Sequence, residues 1–178
     1  MTLTTPRLSL RPWREEEADI MFRWASNPAV GPIAGWPVHR SIEESREIIR
    51  TVFSAPETYA IVLRSTGEPI GSAAIKSGDH LSPSLKPLGG AELGYWLAEP
   101  YWGQGLMTEA VGALIDRAFN HLGYNTLWCG YYEGNLRSCR VMEKCGFTPH
   151  HTEYDKPTLL GDNRTEHFMV LHKGRDEE

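Results

Sequence analysis

The run from Ala91 to Tyr132 constrains the fold more tightly than any other part of the sequence. Ala91–Leu97 is rich in strand-forming residues, Gly103 and Gly105 punctuate a short turn, and Thr126–Tyr132 is a second β-rich run. Between them Leu106, Met107, Ala110, Val111, Leu114, Ile115, Ala118, Phe119 and Leu122 fall on one face of a helix expected over Gly105–Leu122. A stripe that wide has to cover a sheet. Strand, helix and strand in this order form a right-handed crossover, so 91–97 and 126–132 are expected to lie side by side and parallel.

The flanking sequence supplies antiparallel strands. Arg7–Trp13 alternates apolar and polar residues, and Glu15–Ser26 places Ile20, Met21 and Trp24 at helical spacing until Asn27-Pro28 ends the helix. An ordered Gly/Pro-bearing loop, 29–40, leads to Ser41-Ile-Glu-Glu44, a capping box that starts a helix running to about Ser54. Thr58–Arg64 and Pro69–Lys76 flank a turn at Ser65–Glu68 and form a hairpin. The interval 77–89 reads as a long mobile loop. A helix over Leu136–Cys145 closes on Gly146 in the left-handed region, and Phe147–Glu153 and Glu166–His172 are closing strands. The expected class is therefore α/β (α+β mixed sheet), and 178 residues without repeats fit one domain over 1–178.

Several functions are disfavoured directly. Lys and Arg number 18 against 23 Asp and Glu, with no basic block to displace counterions, so direct nucleic-acid binding is not expected. The longest apolar run, Tyr59–Leu63, is too short to span a bilayer, and no export segment is legible. Cys129, Cys139 and Cys145 lack metal or disulfide spacing and read as reduced packing thiols of a cytoplasmic protein. Adjacent strand residues point to opposite faces, so His150 and His151 are not expected to chelate a metal together. No Gly-Lys-Ser/Thr triplet ends a P-loop, and Thr108 stands where a dinucleotide fingerprint needs its third glycine.

The turn at Gly103 and Gly105 can be read in two ways. It is either an anion cradle of backbone amides at a helix N-terminus, or a turn that needs glycine only for its angles. Glu92-Leu-Gly-Tyr-Trp-Leu97, Tyr101-Trp-Gly-Gln-Gly-Leu-Met-Thr-Glu-Ala110, Asn135-Leu-Arg-Ser138 and Glu143-Lys-Cys-Gly-Phe147 together resemble the GNAT N-acyltransferases. The resemblance covers nearly the whole chain. Thr5–Trp13 and Trp24–Pro28 are similar to its ribosomal-protein alanine acetyltransferase-like branch.

What the resemblance implies is a sheet splayed between 91–97 and 126–132, with acetyl-CoA as co-substrate in the gap and no metal. Tyr95, Trp96 and Leu97 would border the pantetheine arm, which hydrogen-bonds backbone groups of Tyr95 and Leu97 as a substitute strand. The family phosphate signature falls on Trp102–Met107 with Gly105 at its centre, so amides of Gly103, Gln104, Leu106, Met107 and Thr108 would hold the diphosphate. Trp102 and Met107 depart from the usual polar and small end residues. Asn135 caps a helix, contacts the cofactor arm, or does both.

The resemblance also suggests catalytic roles. Glu92 is the candidate base, against a structural or substrate-orienting role, and Ser138 is placed near the CoA sulfur. Met142 stands where many members carry a proton-donating tyrosine, so the acid role passes to Ser138 or to water. Trp36 and His39 either contact the acceptor or staple their loop to the core. The acceptor is an amine, at a peptide N-terminus or on a small molecule. Oligomeric state is not legible, and a homodimer is compatible with the sequence. The alternative from another class is a non-catalytic acyl-CoA-binding sensor or interaction module.

Overall fold

In the computed structural model, which describes residues 1–174, the predicted crossover organises an eight-stranded sheet. Its strands are β1 (Leu3–Thr4), β2 (Leu8–Arg11), β3 (Thr58–Leu63), β4 (Pro69–Lys76), β5 (Ala91–Leu97), β6 (Thr126–Tyr132), β7 (Thr148–Pro157) and β8 (Asn163–His172), in the order β1-β2-β3-β4-β5-β6-β8-β7. Every neighbouring pair is antiparallel except β5 and β6. These two strands are parallel, as the crossover rule requires.

Their ladder is short. It pairs Ala91 with Leu127, Glu92 with Trp128 and Leu93 with Cys129, and then stops while both strands continue. At the closed end Gly90 lies so near β6 that a Cβ there would collide with the Thr126 carbonyl oxygen. The sheet is tight at one end of this pair and splayed at the other.

Four helices cover the two faces: α1 (Ala18–Ala25), α2 (Ile42–Thr51), α3 (Leu106–Asp116) and α4 (Leu136–Lys144). Of the predicted stripe, Leu106, Met107, Ala110, Val111 and Leu114 of α3 and Ala118 just past it are buried with Leu93, Leu97, Cys129 and Met142 in the main core, and Ile115, Phe119 and Leu122 are half-buried against it. On the opposite face Met21 and Ala25 of α1 and Ile49 of α2 pack with Trp13, Ala60 and Val62. Ser41 Oγ accepts the Glu44 amide, as the capping pattern predicted. No helix among the described residues is long and apolar enough to cross a membrane.

Four details differ from the sequence expectation. The helix after Gly105 is α-helical only to Asp116 and finishes as a π-turn over Arg117–His121, where the Leu122 amide reaches the Arg117 carbonyl. The helix from Ser41 stops at Thr51. Both closing strands reach further toward their shared turn than their apolar residues indicated. A bulge in β7 between Pro149 and His151 breaks the alternation of faces, bringing the His150 and His151 Nδ1 atoms within 2.7 Å of each other beside Trp128.

The interval 77–89 is also not free. Leu81 and Leu85 are buried against Trp128, Phe168 and Val170, and the Trp128 indole N–H donates to the Gly89 carbonyl at 2.7 Å. Two apolar side chains, spaced for no regular element, anchor it. Leu85→Ala should therefore cost about 2–4 kcal/mol in urea unfolding and expose 77–89 to limited proteolysis. An unchanged transition midpoint and cleavage pattern would show that the anchor is not needed.

Candidate functional site

The splay leaves backbone groups aimed at an open gap. Ala98 donates its amide to the Ile70 carbonyl at 2.8 Å, so alternate residues back along β5, Trp96, Gly94 and Glu92, face β4. Leu93, Tyr95 and Leu97 face the other way. The Leu93 carbonyl still receives the Cys129 thiol at 3.3 Å, but Tyr95 and Leu97 lie beyond the last ladder pair. The Trp102 indole N–H caps the Leu97 carbonyl at 2.8 Å. An extended amide-bearing ligand can add here as a strand would.

The turn after β5 becomes a cradle because Gly103 (φ 74°) and Gly105 (φ 73°) take left-handed angles, turning successive amides toward one side. It is clamped from behind. Arg7 Nη1 donates to the Gln104 carbonyl at 2.9 Å and Arg7 Nε to Glu109 Oε2 at 2.6 Å, while Thr5 Oγ1 and the Arg7 amide donate to Glu109 Oε1 at 2.6 and 2.8 Å. Desolvation pushes the Glu109 carboxyl up, but the hydrogen bonds from Thr5 and Arg7 outweigh it and hold the group below its ordinary range.

A cavity of about 340 Å³ joins cradle and gap, lined by Tyr95, Trp96, Leu97, Trp102, Gly103, Gly105, Leu106, Met107, Thr108, Asn135 and Ser138 among others. Gln104 lies at the turn but is not among the lining residues; its side chain donates to the Pro100 carbonyl. The cavity also carries Arg137, Arg140 and Lys144 of α4, with no carboxylate. The Arg137 guanidinium sits 4.2 Å over the Trp102 ring. The sequence reading missed these three cations. Their i, i+3, i+7 spacing on a helix that begins beside the glycine turn was the available signal.

A second cavity of about 1100 Å³ opens on the α1–α2 face. It meets the first at Ala34, Tyr95, Trp96, Asn135 and Ser138, which border both. At this junction Asn135 Oδ1 accepts the Ser138 amide at 3.4 Å, a long N-cap bond. The Ser138 hydroxyl donates to the Tyr95 hydroxyl at 3.1 Å, and the Tyr95 hydroxyl donates to the Ser138 carbonyl at 3.1 Å. Met142, two turns of α4 nearer the core than the helix start, is buried and takes no part.

Glu92 borders the second cavity but is 4% exposed, with Oε1 on Lys76 Nζ at 2.6 Å and Oε2 on the Ser82 amide at 2.8 Å. Both oxygens are engaged. Such a carboxylate fixes Lys76 and the 77–89 segment. Glu166, which the sequence reading placed only in a strand, also borders this cavity and pairs with Lys156 at 2.7 Å. Trp36 packs edge-on against Trp96 and tilted against His39, so both loop residues staple the loop and line the cavity as well. Its ionisable lining includes Glu44, Glu57, Glu92 and Glu166 with Lys76 and Lys156, and Glu57 is paired with Arg117 at 2.7 Å, so it lacks the cation excess of the first cavity.

A family model described as an acetyltransferase (GNAT) domain matches residues 7–148. The chain is 28% identical over 151 residues to the uncharacterized N-acetyltransferase p20 of Bacillus licheniformis, covering 82% of each chain. Among solved structures, ribosomal-protein-S5-alanine acetyltransferase from Vibrio fischeri superposes with a TM-score of 0.74 at 16% identity, covering 99% of this chain and 98% of that one. The microcin C7 self-immunity acetyltransferase MccE, in complex with acetyl-CoA and AMP, gives 0.74 at 16% identity, covering 95% and 94%. At these identities the structural likeness shows the fold.

The clamp behind the cradle has a pH signature. Because the folded Glu109 value lies below its ordinary 4.5, its stabilisation is complete above that value and is lost as pH falls through the lower folded one. Glu109→Gln should unfold at lower urea than the parent at pH 7, and the gap should narrow below about pH 4.5. A gap that persists undiminished at pH 3 would rule the carboxylate out as the source.

Proposed function

The chain belongs to the GNAT acetyltransferase family and is an acetyl-CoA-dependent N-acetyltransferase; from that premise we propose that it acetylates a protein N-terminal α-amine or a small primary amine across the junction at Tyr95 and Ser138. The observation that carries this reading is the meeting at these residues of a cationic cavity with a wider one that lacks a cation excess. The cationic one suits a diphosphate-bearing thioester, and the wider one, its carboxylates balanced by Lys76, Arg117 and Lys156, admits an amine without repelling it. MccE binds acetyl-CoA on the same fold, and the Vibrio fischeri neighbour is named for a ribosomal-protein alanine, which supports a protein N-terminus among the acceptors.

Acetyl-CoA supplies an activated acyl group on a thiol leaving group. This chain's part is to hold and polarise it. The amides from Gly103 to Thr108, with Arg137, Arg140 and Lys144, bind the phosphates, and the strand edge at Tyr95 and Leu97 receives the arm. A main-chain amide of 95–97 stabilises the negative charge that develops on the carbonyl oxygen. In the net reaction an N–C bond forms, the C–S bond breaks, the amine loses a proton and the sulfur gains one. An α-amine with a reference pKa of roughly 7.7–8.0 is partly neutral near pH 7.5, so water in the open cavity suffices as proton acceptor. Glu92 orients the cavity wall through Lys76, and Ser138 Oγ–H serves the departing sulfur.

Met142 in the tyrosine slot is what a binding-only module would show. The placement of Ser138 at the junction, where such a module needs no hydroxyl, weighs toward turnover. Screening N-terminal peptides and small amines for thiol release and an acetyl mass increment tests the reading. CoA binding without turnover on any acceptor would overturn it. Ser138→Ala should lower kcat about 10–100-fold while leaving CoA affinity within threefold. Glu92→Gln should weaken acceptor KM and keep the acidic limb of the pH–rate profile; loss of that limb would restore Glu92 as the base.

A further inference from the structure

A serine hydroxyl alone is a weak partner for a thiolate, since its proton is held far more tightly than a thiol's. The structure places a second hydroxyl behind it. Tyr95 reaches from β5 across the splay to α4, and its oxygen lies 3.1 Å from Ser138 Oγ and 3.1 Å from the Ser138 carbonyl oxygen. One phenolic proton therefore has two acceptors on the same residue at equal distance. Resting, it goes to the carbonyl while Ser138 gives its own proton to Tyr95.

Resting on the acetyltransferase reading above, we propose that the Tyr95 hydroxyl is a positioning group that turns Ser138 into an effective hydrogen-bond donor to the CoA thiolate. When Ser138 Oγ–H swings to the sulfur, the Tyr95 proton moves from the carbonyl to Ser138 Oγ, and the two aligned hydroxyls polarise each other. No proton leaves Tyr95, so no charge is created in the core. This hydroxyl comes from the sheet and not from the α4 slot that Met142 fills.

The surroundings keep the pair neutral. Burial pushes the Tyr95 hydroxyl well above its ordinary range. The thiols that face it behave likewise: burial raises Cys129 on β6 to about 12, and burial raises Cys145 just past α4. Tyr95 thus keeps its proton at any working pH and acts as a donor. Its main-chain groups, which border the gap, are untouched when the hydroxyl is removed.

The test needs no acceptor. Thiol titration of CoA bound to the full-length protein, followed by ultraviolet difference absorbance of the thiolate, reads the donor strength directly. Bound to the parent protein, the thiol should titrate about one unit below its free value near 8.5, a roughly tenfold gain in the thiolate-to-thiol ratio. Tyr95→Phe and Ser138→Ala should each abolish most of that shift, with CoA affinity at pH 7, where the thiol is mostly protonated, within threefold of the parent. The double variant should match Ser138→Ala, because Tyr95 acts through Ser138.

A parent-like shift in Tyr95→Phe overturns the proposal, as does a double variant markedly beyond either single one. Bound CoA with an unshifted thiol overturns it and leaves the acetyltransferase reading standing, whereas failure to bind CoA removes both. Should Tyr95→Phe not fold, 3-fluorotyrosine installed at position 95 decides instead. That stronger donor must deepen the shift, and an unchanged or smaller one refutes the proposal.

Discussion

Three residue pairs, Ala91–Leu127, Glu92–Trp128 and Leu93–Cys129, hold the only parallel contact in the sheet among the described residues, and the open gap exists because the ladder stops there. One more pair would consume the groups of Tyr95 that face the gap. One fewer would loosen the crossover on which α3 is packed. The twist of each strand favours divergence once cross-links end. Cradle, gap and junction follow from this single termination.

The fold was legible where it rests on periodicity. The stripe of α3, the capping box at Ser41, the hairpin of β3 and β4 and the parallel pairing all follow from local residue order. Less visible were features that depend on distant partners. Nothing near Leu81 and Leu85 announces that Trp128 and Phe168 bury them, and no propensity rule puts a bulge after Pro149. Of the candidate site residues, the glycine turn and Asn135–Ser138 carried their own spacing signals. Glu166 and the hydroxyl of Tyr95 acquire meaning only from register and from the crossing of β5 by α4.

The departures from the family pattern are accommodated locally. Trp102, in place of a polar residue, uses its indole N–H to close the turn onto Leu97 and its ring to seat Arg137. Met107 sinks its side chain into the core, so the cradle keeps its amides while the helix gains buried apolar area.

The clamp of Arg7 and Thr5 on Gln104 and Glu109 joins segments about a hundred positions apart. Bringing segments of such separation together costs chain entropy that these contacts help to offset. The glycine turn is therefore braced only where the edge of the sheet is in place. Any ligand that binds at the braced turn would add its free energy to the complete sheet and to no form in which that edge is undocked.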